Sequence, residues 1–226
     1  MASKVRGLDL VNHPIAASNL TRILMGKMVK PMRVQAKFLK SAADPVHFPA
    51  ATLPEVAFAG RSNVGKSSLI NALLGTKMAH VSSTPGRTQT INFFDVQQTI
   101  GVTKFDVRFA DLPGYGYAKV SRSLSSEWPK FIEPYLRERE AMRLCISLID
   151  SNIPPQESDG RLIAWLQHHQ RPYLLVGTKA DKLSSNKLRN SITALERAHA
   201  SEILPVSATT RAGLDELWRR IRDASA

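Results

Sequence analysis

A chain of 226 residues suits one domain, is long enough to bury roughly 70% of its unfolded surface, and needs no disulfide or metal staple. Hydrophobic residues at 43% and charged residues at 22% are ordinary for a globular protein, and one cysteine, Cys145, excludes an internal disulfide framework. The abnormal quantity is charge: 31 basic against 19 acidic residues give +12, a field that attracts polyanions.

The longest apolar runs, such as Leu144 to Ile149, fall far short of the ~20 residues that cross a bilayer. The first residues carry no apolar core followed by a small-residue cleavage site. A cytoplasmic protein without stable membrane insertion, and a monomer, is therefore expected. Half of the excess charge lies in residues 1–50, where eight Lys and Arg face only Asp9 and Asp44. Residues 1–32 read as a basic, mobile arm for a polyanion, with a short helix over Leu20–Val29 stopped at Pro31. Residues 33–226 read as a single domain.

That domain opens with an alternating strand over Arg33–Lys40 and a connection punctuated by Pro45, Pro49 and Pro54. A rhythm of strand, loop and helix follows. Strands are expected at Glu55–Ala59, Ile91–Val96, Lys104–Ala110, Leu144–Ile149, Tyr173–Val176 and Ile203–Val206, with a hairpin turn over Gln97–Gly101. Helices are expected at Lys66–Leu74, Ser126–Glu138, Ser158–His168, Asn186–His199 and Leu214–Ile221. Such alternation predicts an α/β fold, a mostly parallel six-stranded sheet with helices on both faces. Ligands of such sheets bind at the carboxyl ends of the strands.

Gly60-Arg61-Ser62-Asn63-Val64-Gly65-Lys66-Ser67 is G-x-x-x-x-G-K-S between a strand and a helix. Glycines let main-chain N–H groups and the helix N-terminus wrap a phosphate chain. Lys66 can reach the β/γ oxygens, and the Ser67 hydroxyl can bind Mg²⁺, with Ser68 beside it. Thr178-Lys179-Ala180-Asp181 is similar to the N/T-K-x-D motif of translation-factor-like GTPases. A carboxylate there accepts both N1–H and the 2-amino group of guanine, a pairing adenine does not offer. Taken alone, this tetrapeptide is most often a helix cap; its distance downstream of a P-loop reverses that reading. Val206-Ser207-Ala208 matches the fifth GTPase motif, whose backbone approaches guanine O6.

Asp111-Leu112-Pro113-Gly114 matches D-x-x-G: Asp111 holds Mg²⁺ through water and the Gly114 N–H senses the γ-phosphate. Between the motifs, Gly86, Arg87, Thr88, Gln89 and Thr90 precede a strand. Thr88 is the candidate switch threonine on Mg²⁺, with Thr84 and Thr90 as competitors. The residues expected to act in hydrolysis are Lys66, Thr88, Gly114 and Asn63.

The segments 54–74 (PEVAFAGRSNVGKSSLINALL), TPGRTQTINFF, DLPGYGYAKV, TKADKL and PVSATTRAGLDEL resemble the EngB (YihA/YsxC) family of bacterial GTP-binding proteins, from about Phe38 to the C-terminus. The resemblance implies a Ras-like P-loop NTPase fold, Mg²⁺, GTP and GDP as ligands, and GTP hydrolysis. It also implies association with the large ribosomal subunit or its precursor, with ribosomal RNA as a partner, and a role in division septum formation. A GTP-gated scaffold at the septum or membrane face, with little hydrolysis, is the alternative.

Ras-type enzymes orient the attacking water with a Gln directly after D-x-x-G. Tyr115 stands there instead and cannot act in the same way, so basal turnover is expected to be slow. Asn63 either ligates a K⁺, as in related GTPases, or merely tolerates the loop geometry; Arg61 and Arg87 are further sources of charge. Cys145, the histidines, and Trp128, Trp165 and Trp218 read as packing or surface residues.

Overall fold

The computed structural model describes residues 32–79, 90–115 and 130–226. The basic arm and the Leu20–Val29 helix expected within residues 1–32 lie outside the described residues, Met32 excepted. So does the first part of the helix expected over Ser126–Glu138.

The described strands are β1 (Met32–Ala42), β2 (Glu55–Gly60), β3 (Ile91–Ile100), β4 (Thr103–Asp111), β5 (Met142–Asp150), β6 (Tyr173–Thr178) and β7 (Ile203–Pro205). The helices are α1 (Lys66–Leu74), α2 (Ile132–Glu138), α3 (Glu157–His168), α4 (Ser185–His199) and α5 (Leu214–Ser225). All seven strands form one sheet in the order β1-β3-β4-β2-β5-β6-β7. The expected count of six is thus corrected to seven. The extra edge is β1, antiparallel on β3 from Met32↔Ile100 to Ala42↔Ile91, with a register shift between Phe38 and Lys40. Met32, Val34 and Ala36 pack against the core, which is why this end strand joins the sheet.

The pairs β2–β4, β2–β5, β5–β6 and β6–β7 are parallel, so the sheet is mostly parallel. The β3–β4 hairpin is longer than expected. Gln97 to Ile100 pair with Thr103 to Asp106, and the turn is only Gly101-Val102. Gly101 takes the positive φ, +62°, that two-residue hairpin turns demand of their glycine.

Strand alternation feeds two apolar layers. Val56 and Phe58 of β2, with Leu144, Ile146 and Leu148 of β5, face α1 and α5. Ala57, Ala59 and Cys145 face α2 and α3, where Tyr135, Leu162 and Leu166 meet them. Helix α5 presents Leu214, Leu217, Trp218 and Ile221 at helical spacing, and all four are buried. The Trp218 ring lies 5.5 Å from that of Phe109. Gly213, at φ +75°, starts this helix where any Cβ would lie 2.4 Å from the Pro205 oxygen. Pro134 falls in the first turn of α2, where its missing N–H costs no helical bond. The strands β2, β4, β5 and β6 end at Gly60, Asp111, Asp150 and Thr178, so every motif read from the sequence among the described residues collects at one edge.

Candidate functional site

The loop after β2 is shaped by three residues. Gly60 leaves no room for a side chain, since a Cβ there would lie 2.8 Å from Val64 Cγ1. Asn63 at φ +66° and Gly65 at φ +102° turn the chain into α1. Among the described residues no side chain caps α1, which leaves its first N–H groups for an anion. The Lys66 ammonium donates to Asp111 Oδ1, and both side chains are largely buried. The end of β4 therefore reaches the first turn of α1, beside Ser67.

The D-x-x-G segment lies directly on the P-loop. A Cβ on Gly114 would sit 2.9 Å from Ser62 Oγ. Tyr115 N–H donates to Gly60 O at 3.3 Å, and Ser62 N–H donates to Tyr115 O at 3.1 Å. The Tyr115 side chain turns into the core and donates its phenol to Asp159 Oδ1 at 3.0 Å.

The base side is built on β6. The Thr178 hydroxyl donates to Val64 O at 2.6 Å, with Ile149 O at 3.1 Å. Lys179, at φ +58°, donates to Asn63 O at 2.8 Å and to Asp150 Oδ2 at 2.7 Å. Burial pushes the Asp150 carboxyl up, but hydrogen bonds from Lys179 and Asn152 and the Lys179 charge hold it below its ordinary value. Asn152 also donates to Lys179 O at 3.3 Å, supporting the left-handed backbone there. Asp181 accepts from Ser207 Oγ at 2.6 Å, and that oxygen accepts from Thr210 N–H at 3.0 Å. Ala180 N–H donates to Val206 O, which ties the two base motifs together. They enclose a cavity of about 180 Å³ lined by Gly65, Ser68, Thr178, Asp181, Val206 and Ala208, among others.

The structure thus brings together the P-loop from Gly60 to Ser68, Asp111 to Gly114, Thr178 to Asp181 and Val206 to Ala208. Thr90 stands at the start of β3 with its hydroxyl 3.5 Å from Asn92 Oδ1. Gly86, Arg87, Thr88 and Gln89, and the competitor Thr84, lie outside the described residues. Asn63 is exposed, and its positive φ accords with a residue chosen for loop geometry. The Arg61 charge bears on Asp159. The donors fit Mg²⁺: Ser67 supplies a hydroxyl oxygen and Asp111 a carboxylate, the hard oxygen ligands this ion takes. Sequence reasoning passed over Asp150, Asn152 and Asp159. Asp150 had a signal, as the first charged residue after the apolar run of β5, at the end of the strand where ligands bind.

A mostly parallel sheet with its phosphate loop and two base loops together at the carboxyl ends of its strands is that of a Ras-like P-loop GTPase. Residues 55–179 match the family described as 50S ribosome-binding GTPase. The chain is 54% identical over 195 residues to the "Probable GTP-binding protein EngB" of Koribacter versatilis, covering 86% of this chain and 96% of that one. Its counterpart in Acidobacterium capsulatum is 56% identical over 196 residues, covering 86% and 93%. Among solved structures, the fold matches that of a GTP-binding protein engB with a TM-score of 0.57 at 21% identity, over 75% of this chain and 97% of that one. It also matches the G domain of the T. maritima FeoB iron transporter, TM-score 0.52 at 28% identity, over 77% and 99%. The chain belongs to the EngB family of GTP-binding proteins, and by class it is a GTPase.

Proposed function

We propose that the protein binds GTP and GDP with Mg²⁺, hydrolyses GTP slowly, and acts as a nucleotide switch on the large ribosomal subunit or its precursor in the cytoplasm. The observation that carries the nucleotide reading is that Asp181, held by Ser207, lines a cavity that reaches Gly65. The carboxylate takes the two guanine N–H groups. The Lys66 ammonium and the backbone N–H groups opening α1 stabilise charge on the β- and γ-phosphate oxygens as the bond between the γ-phosphorus and its bridging oxygen breaks. Mg²⁺, when bound by Ser67 and Asp111, neutralises part of that charge. Thr88 completes the proposed site.

Tyr115 is turned into the core, so the side chain directly after D-x-x-G does not orient water, and basal turnover is on the order of 10⁻⁴–10⁻² s⁻¹ without an activator. Asn63 with K⁺, Arg61, Arg87 or a partner is the candidate source of the missing charge. The +12 field supports ribosomal RNA as the partner. A septation role rests on the family resemblance, and no observation favours the scaffold reading; among the described residues no helix is long and apolar enough to cross a membrane.

Co-sedimentation with large-subunit particles tests the switch. A GTP analogue should enrich the protein on the particles relative to GDP, and binding should fall steeply between ~50 and ~200 mM salt. Equal sedimentation of both nucleotide forms at moderate salt would leave only non-specific basicity.

A further inference from the structure

Asp159 is a carboxylate without a part in the site as described, and it is only 1% exposed. It occupies the first turn of α3, on the face that buries Leu162, Ile163 and Leu166. A buried carboxylate is costly, and an apolar residue would fill such a core position more cheaply. The Tyr115 phenol donates to it at 3.0 Å.

Tyr115 joins three elements. It directly follows Gly114, its backbone exchanges hydrogen bonds with Gly60 and Ser62 of the P-loop, and its side chain ends on α3. Gly114 is wedged, because a Cβ there would lie 2.9 Å from Ser62 Oγ and 3.1 Å from Ser62 N. The Gly114 peptide is therefore set from two sides: by contact with Ser62, and by the anchoring of the next residue in the core.

We propose that Asp159 is a positioning residue for γ-phosphate recognition: through the Tyr115 phenol it holds the Gly114 peptide at the P-loop. The proposal rests on the GTP reading above. It gives the aromatic residue a task at the position where Ras-type enzymes carry their water-orienting glutamine, and the task is anchoring. GDP, which lacks the γ-phosphate, does not draw on it.

The charged groups facing Asp159 set its response to pH. Burial pushes its carboxyl up to about 6, opposed by the Tyr115 hydrogen bond and the Arg61 charge, while Asp150 adds to the rise. Burial and the Asp159 charge push the Tyr115 phenol well above its ordinary value, so it remains a donor throughout. Between pH 5 and 7 the proton that changes in this pair is on Asp159.

Binding of fluorescent GDP and of a fluorescent non-hydrolysable GTP analogue, with single-turnover hydrolysis from pH 5 to 8, tests the idea. The proteins are wild type, Tyr115→Phe, Asp159→Asn and the paired apolar variant Tyr115→Phe/Asp159→Leu, each checked by thermal melting. Tyr115→Phe and the paired variant should lower affinity for the GTP analogue about tenfold and slow hydrolysis, while GDP affinity stays within about twofold. The paired variant removes donor and acceptor of the Tyr115–Asp159 bond together and guards against simple misfolding. Wild-type hydrolysis should inflect near pH 6, and Asp159→Asn, which still accepts from the phenol but cannot ionise, should lose that inflection. An unchanged ratio of GTP-analogue to GDP affinity in both phenol-less proteins, or an inflection that survives in Asp159→Asn, overturns the proposal. Wild-type protein that binds neither nucleotide overturns the GTP reading as well, so the two failures are distinct.

Discussion

The Lys179 ammonium is shared between Asp150 and the P-loop, 2.7 Å from Asp150 Oδ2 and 2.8 Å from the carbonyl oxygen of Asn63. One cation thereby fixes the base loop to the phosphate loop. Asp150 is itself oriented by Asn152, whose N–H donates to its Oδ1 at 3.0 Å. The joint sets the spacing of the two loops that a nucleotide has to span.

Asp150→Asn should therefore speed GDP release about tenfold with little change in association, since a charge-assisted hydrogen bond contributes ~1.5–3 kcal/mol. Because Asp150 acts through Lys179, the same substitution in a Lys179→Met background should add almost nothing. Stopped-flow release of a fluorescent GDP reads both. Independent, additive effects would show that the two residues do not act as a pair.

Asp181 is held by Ser207 at 2.6 Å with its carboxylate on the cavity. Asp181→Asn replaces an acceptor by a donor opposite guanine. GTP affinity should fall about 10- to 100-fold, while xanthine nucleotides, which present an acceptor there, should gain. Competition binding with GTP and XTP measures the exchange; an unchanged GTP preference would remove the guanine assignment.

At the opposite end of the central strand β2 from the P-loop, Glu55 is wholly buried, bonded to Arg139 at 2.6 and 3.0 Å and to the Tyr135 phenol at 3.0 Å. Arg139 also donates to Pro49 O, so it fastens the connection between β1 and β2. Arg139→Ala leaves the carboxylate with the Tyr135 phenol and with Arg108 Nη1 at 3.6 Å as its only remaining cation among the described residues, and should cost about 3 kcal/mol. Urea unfolding measures it. The variant should bind GDP normally once folded, because no nucleotide contact is touched.

Glu55 also shows where the sequence stopped being legible. The P-loop and both base motifs could be read because their chemistry resides in consecutive residues, and the strand–helix rhythm because burial on two faces leaves long apolar runs. Glu55, in contrast, read only as part of the strand Glu55–Ala59; its partner is 84 residues away, and only the fold joins them. Asp159 stands at a core-facing position of α3, three and seven residues before Leu162 and Leu166. That spacing marks burial, but not the phenol it meets. The seventh strand was visible as alternation from Arg33, yet its pairing with β3 is a long-range choice that alternation does not encode.

Asn63 turns the P-loop at φ +66° and is exposed. If its side chain also ligates K⁺, replacing Na⁺ by K⁺ at constant ionic strength should raise GTP turnover, and Asn63→Ala should lose the rise while still binding GDP. Equal turnover in the two salts assigns Asn63 to loop geometry alone and leaves Arg61, Arg87 or a partner to supply charge.

Asp159 makes stability itself depend on pH, in a direction opposite to that of most carboxylates. In the folded chain its carboxyl holds a proton up to about pH 6, whereas the ordinary value is 3.8. Between those values the folded state binds more protons than the unfolded one, so this group's contribution to stability falls as pH rises. Below pH 4 both states are protonated and the contribution is complete; above about pH 6 it has been lost. The full difference amounts to roughly 2–3 kcal/mol. Asp159→Asn cannot titrate, so its unfolding free energy should lack this term. Urea unfolding of both proteins at pH 7 and pH 5 isolates it, because every other titrating group cancels in the difference. On acidification, wild type should gain about 1–2 kcal/mol relative to the Asp159→Asn variant, the part of the window crossed between those two values. A difference that stays constant, or that moves the other way, would mean that the Tyr115 hydrogen bond and the Arg61 charge outweigh burial and keep the carboxylate ionised.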